Sequence, residues 1–342
     1  MSHLGRPRGQ KDYKYSFEPI IGEISRILEK KIKFAKDCIG SKTENVVANL
    51  NPREILLLEN LRFYVEEESG DKEFAAKLAR LGDIYINDAF ATAHRKHAST
   101  AIIAEFFPEN KTVGLLMSQE LNAIDKILTN GIKPITAIIG GSKVSSKIGI
   151  IENILPIIDN LIIGGAMAFT FIKAKGGCIG KSLVENDKQR LALQILRSTA
   201  KHNVKVYLPI DIVAAKQFNN DSPIKTVDAY NIPEGWIGLD IGERSIQKFN
   251  NVILSSKTIL WNGPMGAFEM PNFAYGTIKL GDSIAWATSF LNAFSLVGGG
   301  DSVSFAKEYG YDTKVSYIST GGGAMLESLE GKKLPGVIAI KN

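Results

Sequence analysis

A short apolar run, Ile135-Thr136-Ala137-Ile138-Ile139, meets Gly140-Gly141 and then a stretch of helical period reaching Leu155. The same order recurs at Leu161-Ile162-Ile163-Gly164-Gly165, at Ser295-Leu296-Val297-Gly298-Gly299-Gly300, and at Tyr317-Ile318-Ser319-Thr320-Gly321-Gly322-Gly323. Strand, glycine turn and helix start form the connection from which parallel α/β sheets are built. A single copy says little, because plain packing turns also use glycine. Four copies predict one parallel sheet whose strand ends line a phosphate-binding crevice, since backbone N–H groups at helix starts favour an anion. In the first copy the spacing predicts a helix that begins directly after Gly141, with Lys143 and Lys147 on one face.

Upstream, strands and helices alternate as well. Residues 17–31 read as a helix, 32–35 as a strand, 54–59 as a buried strand, 74–81 as a helix ended by Gly82, and 83–87 as a strand. Arg62 and Arg95 fall just past strand ends, the edge at which open α/β sheets bind ligands. The opening residues, with His3 and Arg6, read as the end of a further strand running into a functional loop. Arginine gives planar, paired hydrogen bonds to carboxylate or phosphate, so this half reads as a site for a small polyanion. The plain alternative for Arg62 and Arg95 is a pair of solvated ion-pair residues. Downstream, 118–129 reads as a connecting helix, 187–202 and 245–254 as helices, 204–208 and 258–261 as strands, 211–240 as irregular, and 272–291 as a long helix.

The net charge of +5 comes from 41 Lys and Arg scattered among 36 Asp and Glu, with no long basic run. That disfavours nucleic acid and suits anionic small molecules. The two cysteines, Cys38 and Cys178, have no metal-ligand spacing and point to a reducing cytoplasm. No apolar run reaches the roughly 18 residues that a membrane-spanning helix needs. Two nucleotide fingerprints fail. Gly176-Gly177-Cys178-Ile179-Gly180-Lys181-Ser182 looks like a P-loop, but Lys175 stands where the first glycine belongs, and the stretch follows a helical pattern instead of a strand. Gly298-Gly299-Gly300 is followed by Val303 where a dinucleotide motif needs a third small residue, which disfavours an NAD-dependent oxidoreductase.

The motifs Ser2-His3-Leu4-Gly5-Arg6-Pro7, Leu58-Glu59-Asn60-Leu61-Arg62-Phe63, Asn87-Asp88-Ala89-Phe90 with Ala93-His94-Arg95, Gly140-Gly141-Ser142-Lys143-Val144, Trp261-Asn262-Gly263-Pro264, Gly298-Gly299-Gly300-Asp301 and Ser319-Thr320-Gly321-Gly322-Gly323-Ala324 span essentially the whole chain. In this order they resemble the phosphoglycerate kinase family. The resemblance implies an α/β fold of two lobes, each a parallel sheet flanked by helices, facing across a hinged cleft. It implies a glycolytic phosphotransferase with a carboxyl group as acceptor, moving a phosphoryl group reversibly between 1,3-bisphosphoglycerate and ADP to give 3-phosphoglycerate and ATP, with Mg2+. By the same resemblance His3, Leu4, Gly5, Arg6, Arg62 and Arg95 hold the phosphoglycerate. Gly141, Gly164, Gly165 and Gly238 border the adenosine, Glu269 its ribose, and Asn262 and Pro264 complete the nucleotide site. Lys147, Gly299, Gly300, Asp301 and Ser302 sit at the nucleotide phosphates, with Asp301 at the magnesium; the family usually has threonine where Ser302 stands. Lys143 follows the migrating group, with Arg95, Gly322 and Gly323 as its catalytic partners. Helix capping by Asp301 and a plain surface role for Glu269 are the structural alternatives.

The implied domains are a phosphoglycerate lobe over 1–116 with a returning tail 334–342, a connector and hinge over 117–133, and a nucleotide lobe over 134–333. The implied partners are these substrates alone, with no nucleic acid or membrane, for a cytoplasmic monomer. Against the family, roughly 60 residues are missing before Met1, including the first strand region of the first lobe and a further arginine. The start therefore reads as truncated or mis-assigned. The rival expectation is a catalytically impaired nucleotide-binding remnant.

Overall fold

The structure is a computed structural model, described over residues 1–341. By internal contacts the chain divides into two units. One is Met1–Ser118 with the chain from Lys333 onward; the other is Gln119–Lys332.

In the first unit, β1 (Ile32–Ala35) pairs in parallel with β2 (Ile55–Leu58), and β3 (Tyr85–Asn87) with β4 (Lys111–Val113). The single parallel sheet expected for this half is thus two separate pairs. An apolar groove lined by Leu56 and Leu58 of β2, Tyr85 of β3, Met1, Ile103 and Phe107 lies where they adjoin. The opening residues, read as a strand end, form no strand; they lie beside the exit of β2, where Ser2 O accepts from Leu61 N (3.2 Å). The helix expected over 17–31 is shorter, a 3-10 turn Glu18–Ile20 and an α-helix Ile21–Leu28, because Glu29 turns left-handed (φ 51°). Leu58, Phe74, Leu78, Tyr85 and Ile103 form the core, and the terminal helix Pro335–Lys341 packs Ala339 and Ile340 against it.

The second unit carries, in chain order, β5 (Ile135–Ile139), β6 (Asn160–Ile163), β7 (Cys178–Ile179), β8 (Lys205–Tyr207), β9 (Asp211–Ala215), β10 (Ile224–Asp228), β11 (Asn231–Ile232), β12 (Ile237–Ile241), β13 (Thr258–Asn262), β14 (Phe294–Val297) and β15 (Tyr317–Ile318). Six of them form one parallel sheet in the order β15-β14-β13-β5-β6-β8. All residues of β5, β6 and β13 are buried, as the unbroken apolar runs require when helices cover both faces. The strand order reverses between β5 and β13, so the switch point falls where Gly140-Gly141 and Gly263-Pro264 leave the sheet. The approach is close. Gly140 N donates to Asn262 O (2.9 Å), and a Cβ on Gly140 or Gly263 would overlap the facing backbone.

All four glycine turns leave this one sheet. Three lead straight into helices, Met167–Ala174, Gly300–Glu308 and Gly322–Leu329. The first does not. Its helix begins only at Ile148, so Lys143 and Lys147 do not share a helical face. Gly141 sits at φ 118°, Ser145 donates N–H and Oγ–H to Glu185, and Ser146 Oγ donates to Lys143 O. Serine side chains here replace the intrahelical bonds that the period alone suggests.

Residues 211–240, expected to be irregular, hold an antiparallel sheet β10-β9-β12. Its strands are short and separated by turn residues such as Asn219, Asn220 and Ser222. Their pairing is therefore set by tertiary contact, with Ala215, Leu239 and Phe273 as the small core beneath.

Candidate active site

At the switch point of the second unit lies a cavity of about 310 Å³ lined by Gly141, Gly165, Phe169, Gly238, Pro264 and Glu269, with Ile212, Leu239 and Met265 as apolar wall. Its space depends on glycine. A Cβ on Gly165 (φ 64°) would press into the Gly141 backbone, one on Gly164 into Met265, and one on Gly238 into the Phe169 ring. A smaller cavity of about 140 Å³ is lined by Gly140, Lys147, Asn262, Gly299, Gly300 and Ser302. Gly141, Ser142 and Asp301 line both. One elongated ligand with an apolar end and an anionic end fits such a pair.

The small cavity is polar by construction. Lys147 Nζ donates to Asn262 Oδ1 (2.5 Å), Asn262 Nδ2 to Gly298 O (2.7 Å), and Gly263 N to Ser302 Oγ (2.5 Å). Burial pushes the Lys147 ammonium below its ordinary range, while the Asp301 carboxylate pulls it back up. The helix Gly300–Glu308 opens with Gly299 (φ 91°) and has no side-chain cap, so its first N–H groups are free for an anion. Asp301 is exposed on its first turn and caps nothing, which removes the capping alternative.

The structure does not gather every residue predicted from sequence. Lys143 is exposed on the loop after β5 and lines neither cavity. Gly322 and Gly323 start the helix after β15 and also lie outside both. That turn is held by Glu120, which sequence reasoning missed. Its buried carboxylate accepts from Ser319 Oγ (2.8 Å), Thr320 N (2.6 Å) and Thr320 Oγ (2.7 Å). A lone glutamate in an amphipathic helix gives no signal of this in the sequence.

In the first unit, Asn60 organises the exit of β2. It accepts from Arg62 N (3.0 Å) and donates to Leu4 O (2.8 Å) and Tyr15 O (2.9 Å), holding the His3–Arg6 loop in place. Arg62 donates from Nη1 to Gly5 O (2.9 Å). Gly5 (φ 63°) is needed because a Cβ there would meet the Tyr15 ring. Arg62 is 4 % exposed, yet its Nε makes no hydrogen bond, and Glu68 Oε1 is 3.5 Å away. Burial holds the Arg62 pKa below the ordinary range; Glu68 and Glu67 pull it back up, while Arg95 and Arg6 lower it. His3 is likewise held below its usual pKa by burial, then by Arg62 and Arg95. Convergent cations with a buried, unsatisfied donor among them make a site for a small polyanion. Leu4 offers its carbonyl to Asn60.

His97 is 7 % exposed within this cluster. Burial, Arg62 and Arg95 push its pKa from 6.5 down to about 4. Its neutral form is the one folding favours, so its contribution is complete above pH 6.5 and is lost as pH falls toward 4. Urea midpoints measured across that window are expected to fall with pH in the native sequence and to fall less in His97→Gln.

Among the described residues no three His, Cys, Asp or Glu side chains are grouped to hold a metal by themselves, and no helix is long and apolar enough to cross a membrane. The lone Asp301 carboxylate at the junction of the cavities fits Mg2+, which takes one or two protein carboxylates and the oxygens of a bound phosphate.

The family model of phosphoglycerate kinase matches residues 1–332. The chain is 48% identical to the phosphoglycerate kinase of Porphyromonas gingivalis, over 99% of this chain and 87% of that one. It is 48% identical to the cytosolic phosphoglycerate kinase of Triticum aestivum, over 99% and 84%. Among solved structures, phosphoglycerate kinase from Coxiella burnetii superposes with a TM-score of 0.91 at 37% identity, over 99% of this chain and 85% of that one. The enzyme from Pyrococcus horikoshii gives 0.79 at 29% identity, with the same coverage. An arginine cluster at the strand ends of one unit and a glycine-rimmed switch point in the other go with these matches: the chain belongs to the phosphoglycerate kinase family.

Proposed function

We propose that the arginine cluster of the first unit binds 3-phosphoglycerate or 1,3-bisphosphoglycerate, and that the joined cavities of the second unit bind Mg-ADP or Mg-ATP. The observation that carries this reading is Asp301, which lines both cavities beside Lys147 and the uncapped helix start. Gly141, Gly164, Gly165 and Gly238 leave room for the adenosine, Glu269 reaches its ribose, and Pro264 closes the wall. Lys147, Asn262, Gly299, Gly300 and Ser302 hold the phosphates. His3, Gly5, Arg6, Arg62 and Arg95 grip the small acid.

Forward transfer breaks the bond between the acyl oxygen and phosphorus and forms one from a β-phosphate oxygen of ADP. The attacking phosphate oxygen has no proton to lose and the released carboxylate needs none, so neither a general base nor a general acid is required. The protein's work is positioning and neutralising the equatorial oxygens. Mg2+, when bound at Asp301, supplies charge to the nucleotide phosphates. Lys143, exposed on its glycine-flanked loop, follows the migrating group, and the N–H groups of Gly322 and Gly323 with Arg95 meet its charge. The two free cysteines, Cys38 buried and Cys178 exposed, suit a reducing cytoplasm, and the chain works as a monomer.

The remnant reading would retain the nucleotide cavities alone; the organised cluster around Arg62 argues for the kinase. A coupled assay with 3-phosphoglycerate and MgATP, beside calorimetric titration with MgADP, tests the choice. Turnover that saturates in both substrates is expected. Tight MgADP binding with no turnover would overturn the kinase.

A further inference from the structure

Glu67 is a buried carboxylate that the transfer chemistry does not use. It lies in the short helix Val65–Ser69 just after Arg62 and is 3 % exposed. One residue engages both of its oxygens. Oε1 accepts from Ser99 Oγ (2.6 Å) and Oε2 from Ser99 N (3.0 Å). Its backbone carbonyl accepts from Ala98 N (2.9 Å). Oε1 also lies 3.9 Å from His97 Nδ1. The loop carrying Arg95 and His97 is therefore stitched at three points to the helix that follows the Arg62 turn, Leu61–Phe63.

The charges around it matter as well. Burial raises the Glu67 pKa, the two Ser99 bonds and Arg62 lower it, and Glu68 raises it. A carboxylate kept this dry persists only where its lone pairs are met. The other acid of the cluster, Glu68, has a side chain 38 % exposed and is the charge that acts most on Arg62.

We infer that Glu67 is a positioning residue for the phosphoglycerate: by clamping Ser99 it fixes the loop from which Arg95 and His97 reach, against the helix that directly follows the Arg62 turn. The inference rests on the assignment of this cluster to the phosphoglycerate. Glu67 itself touches no substrate.

Steady-state kinetics of Glu67→Gln in the full chain, with 3-phosphoglycerate and MgATP varied in turn, test it. The KM for 3-phosphoglycerate is expected to rise on the order of tenfold, as when other orienting partners are removed. The KM for MgATP stays within about twofold. Ser99→Ala removes the hydroxyl and keeps the backbone bond, so it shifts the same KM in the same direction by less. The double variant falls short of the product of the single effects, because both act through one clamp. A merely structural role lowers kcat through the active fraction and leaves both KM values alone; that result, or an unchanged KM for 3-phosphoglycerate, overturns the inference. If Glu67→Gln does not fold, Ser99→Ala decides by itself: an unchanged KM for 3-phosphoglycerate overturns it. Arg62→Ala separates the two levels. An unchanged KM for 3-phosphoglycerate there sinks the cluster assignment, whereas a steep rise there with Glu67→Gln and Ser99→Ala inert sinks the Glu67 inference alone.

Discussion

Arg62→Ala is expected to lower kcat/KM for 3-phosphoglycerate roughly 10²- to 10³-fold, the loss that follows when one partner of a buried, hydrogen-bonded charge pair is removed. The same change is expected to leave the melting temperature unchanged or raise it. Arg62 is 4 % exposed, its Nε has no hydrogen bond, and burial lowers its pKa first; Glu68 and Glu67 raise it, and Arg95 and Arg6 lower it further. Against this, folding gains the Gly5 bond at 2.9 Å and a loose approach to Glu68 at 3.5 Å. A buried charge with so little compensation strains the free protein and is relieved by an anion. Arg62→Lys keeps the charge and loses the planar fork, so it falls between the two. Thermal melts and the coupled assay on the three proteins check the pair of signs. A marked drop in melting temperature with kcat/KM intact would make Arg62 a structural ion-pair residue.

The parallel sheet of the second unit was legible because β5, β6 and β14 are largely apolar runs that end at glycine, and burial on both faces permits nothing else at Ile135–Ile139 or Asn160–Ile163. The cavities were legible through the same glycines, since their lack of a Cβ is what lets the cavity walls approach one another. The loop after Gly141 was not, because helical period says nothing about Glu185, which takes Ser145 from a residue 40 positions away. Nor was the sheet β10-β9-β12, whose register depends on partners that turn residues separate. Glu67 was hidden for a different reason. It stands inside the acidic run Glu66-Glu67-Glu68, which reads as a solvated face, and only folding shows that the middle member points inward to Ser99. Long-range polar clamps of this kind leave no local pattern, so the arginines could be picked out by type and position while the groups that aim them could not.

Asp301→Ala is expected to weaken MgADP binding roughly 10- to 100-fold, on the scale of losing a group that fixes a bound metal. Its effect on metal-free ADP has the opposite sign. Without Mg2+ the carboxylate faces the phosphate groups directly, beside the free N–H groups of the helix start at Gly300, and like charges in a partly enclosed site repel strongly. Removing it therefore tightens metal-free ADP slightly while abolishing the gain that Mg2+ brings. Stability is expected to move by only a few degrees, because Asp301 caps no helix and its interaction with the half-buried Lys147 is electrostatic. Lys147→Ala provides the mirror image, weakening ADP with and without the metal, since Lys147 attracts phosphate in both states. Calorimetric titration with ADP in the presence of Mg2+ and of a chelator, on the native sequence and both variants, gives the four comparisons. Equal losses in the two media for Asp301→Ala would mean that this carboxylate shapes the helix start and does not meet the metal.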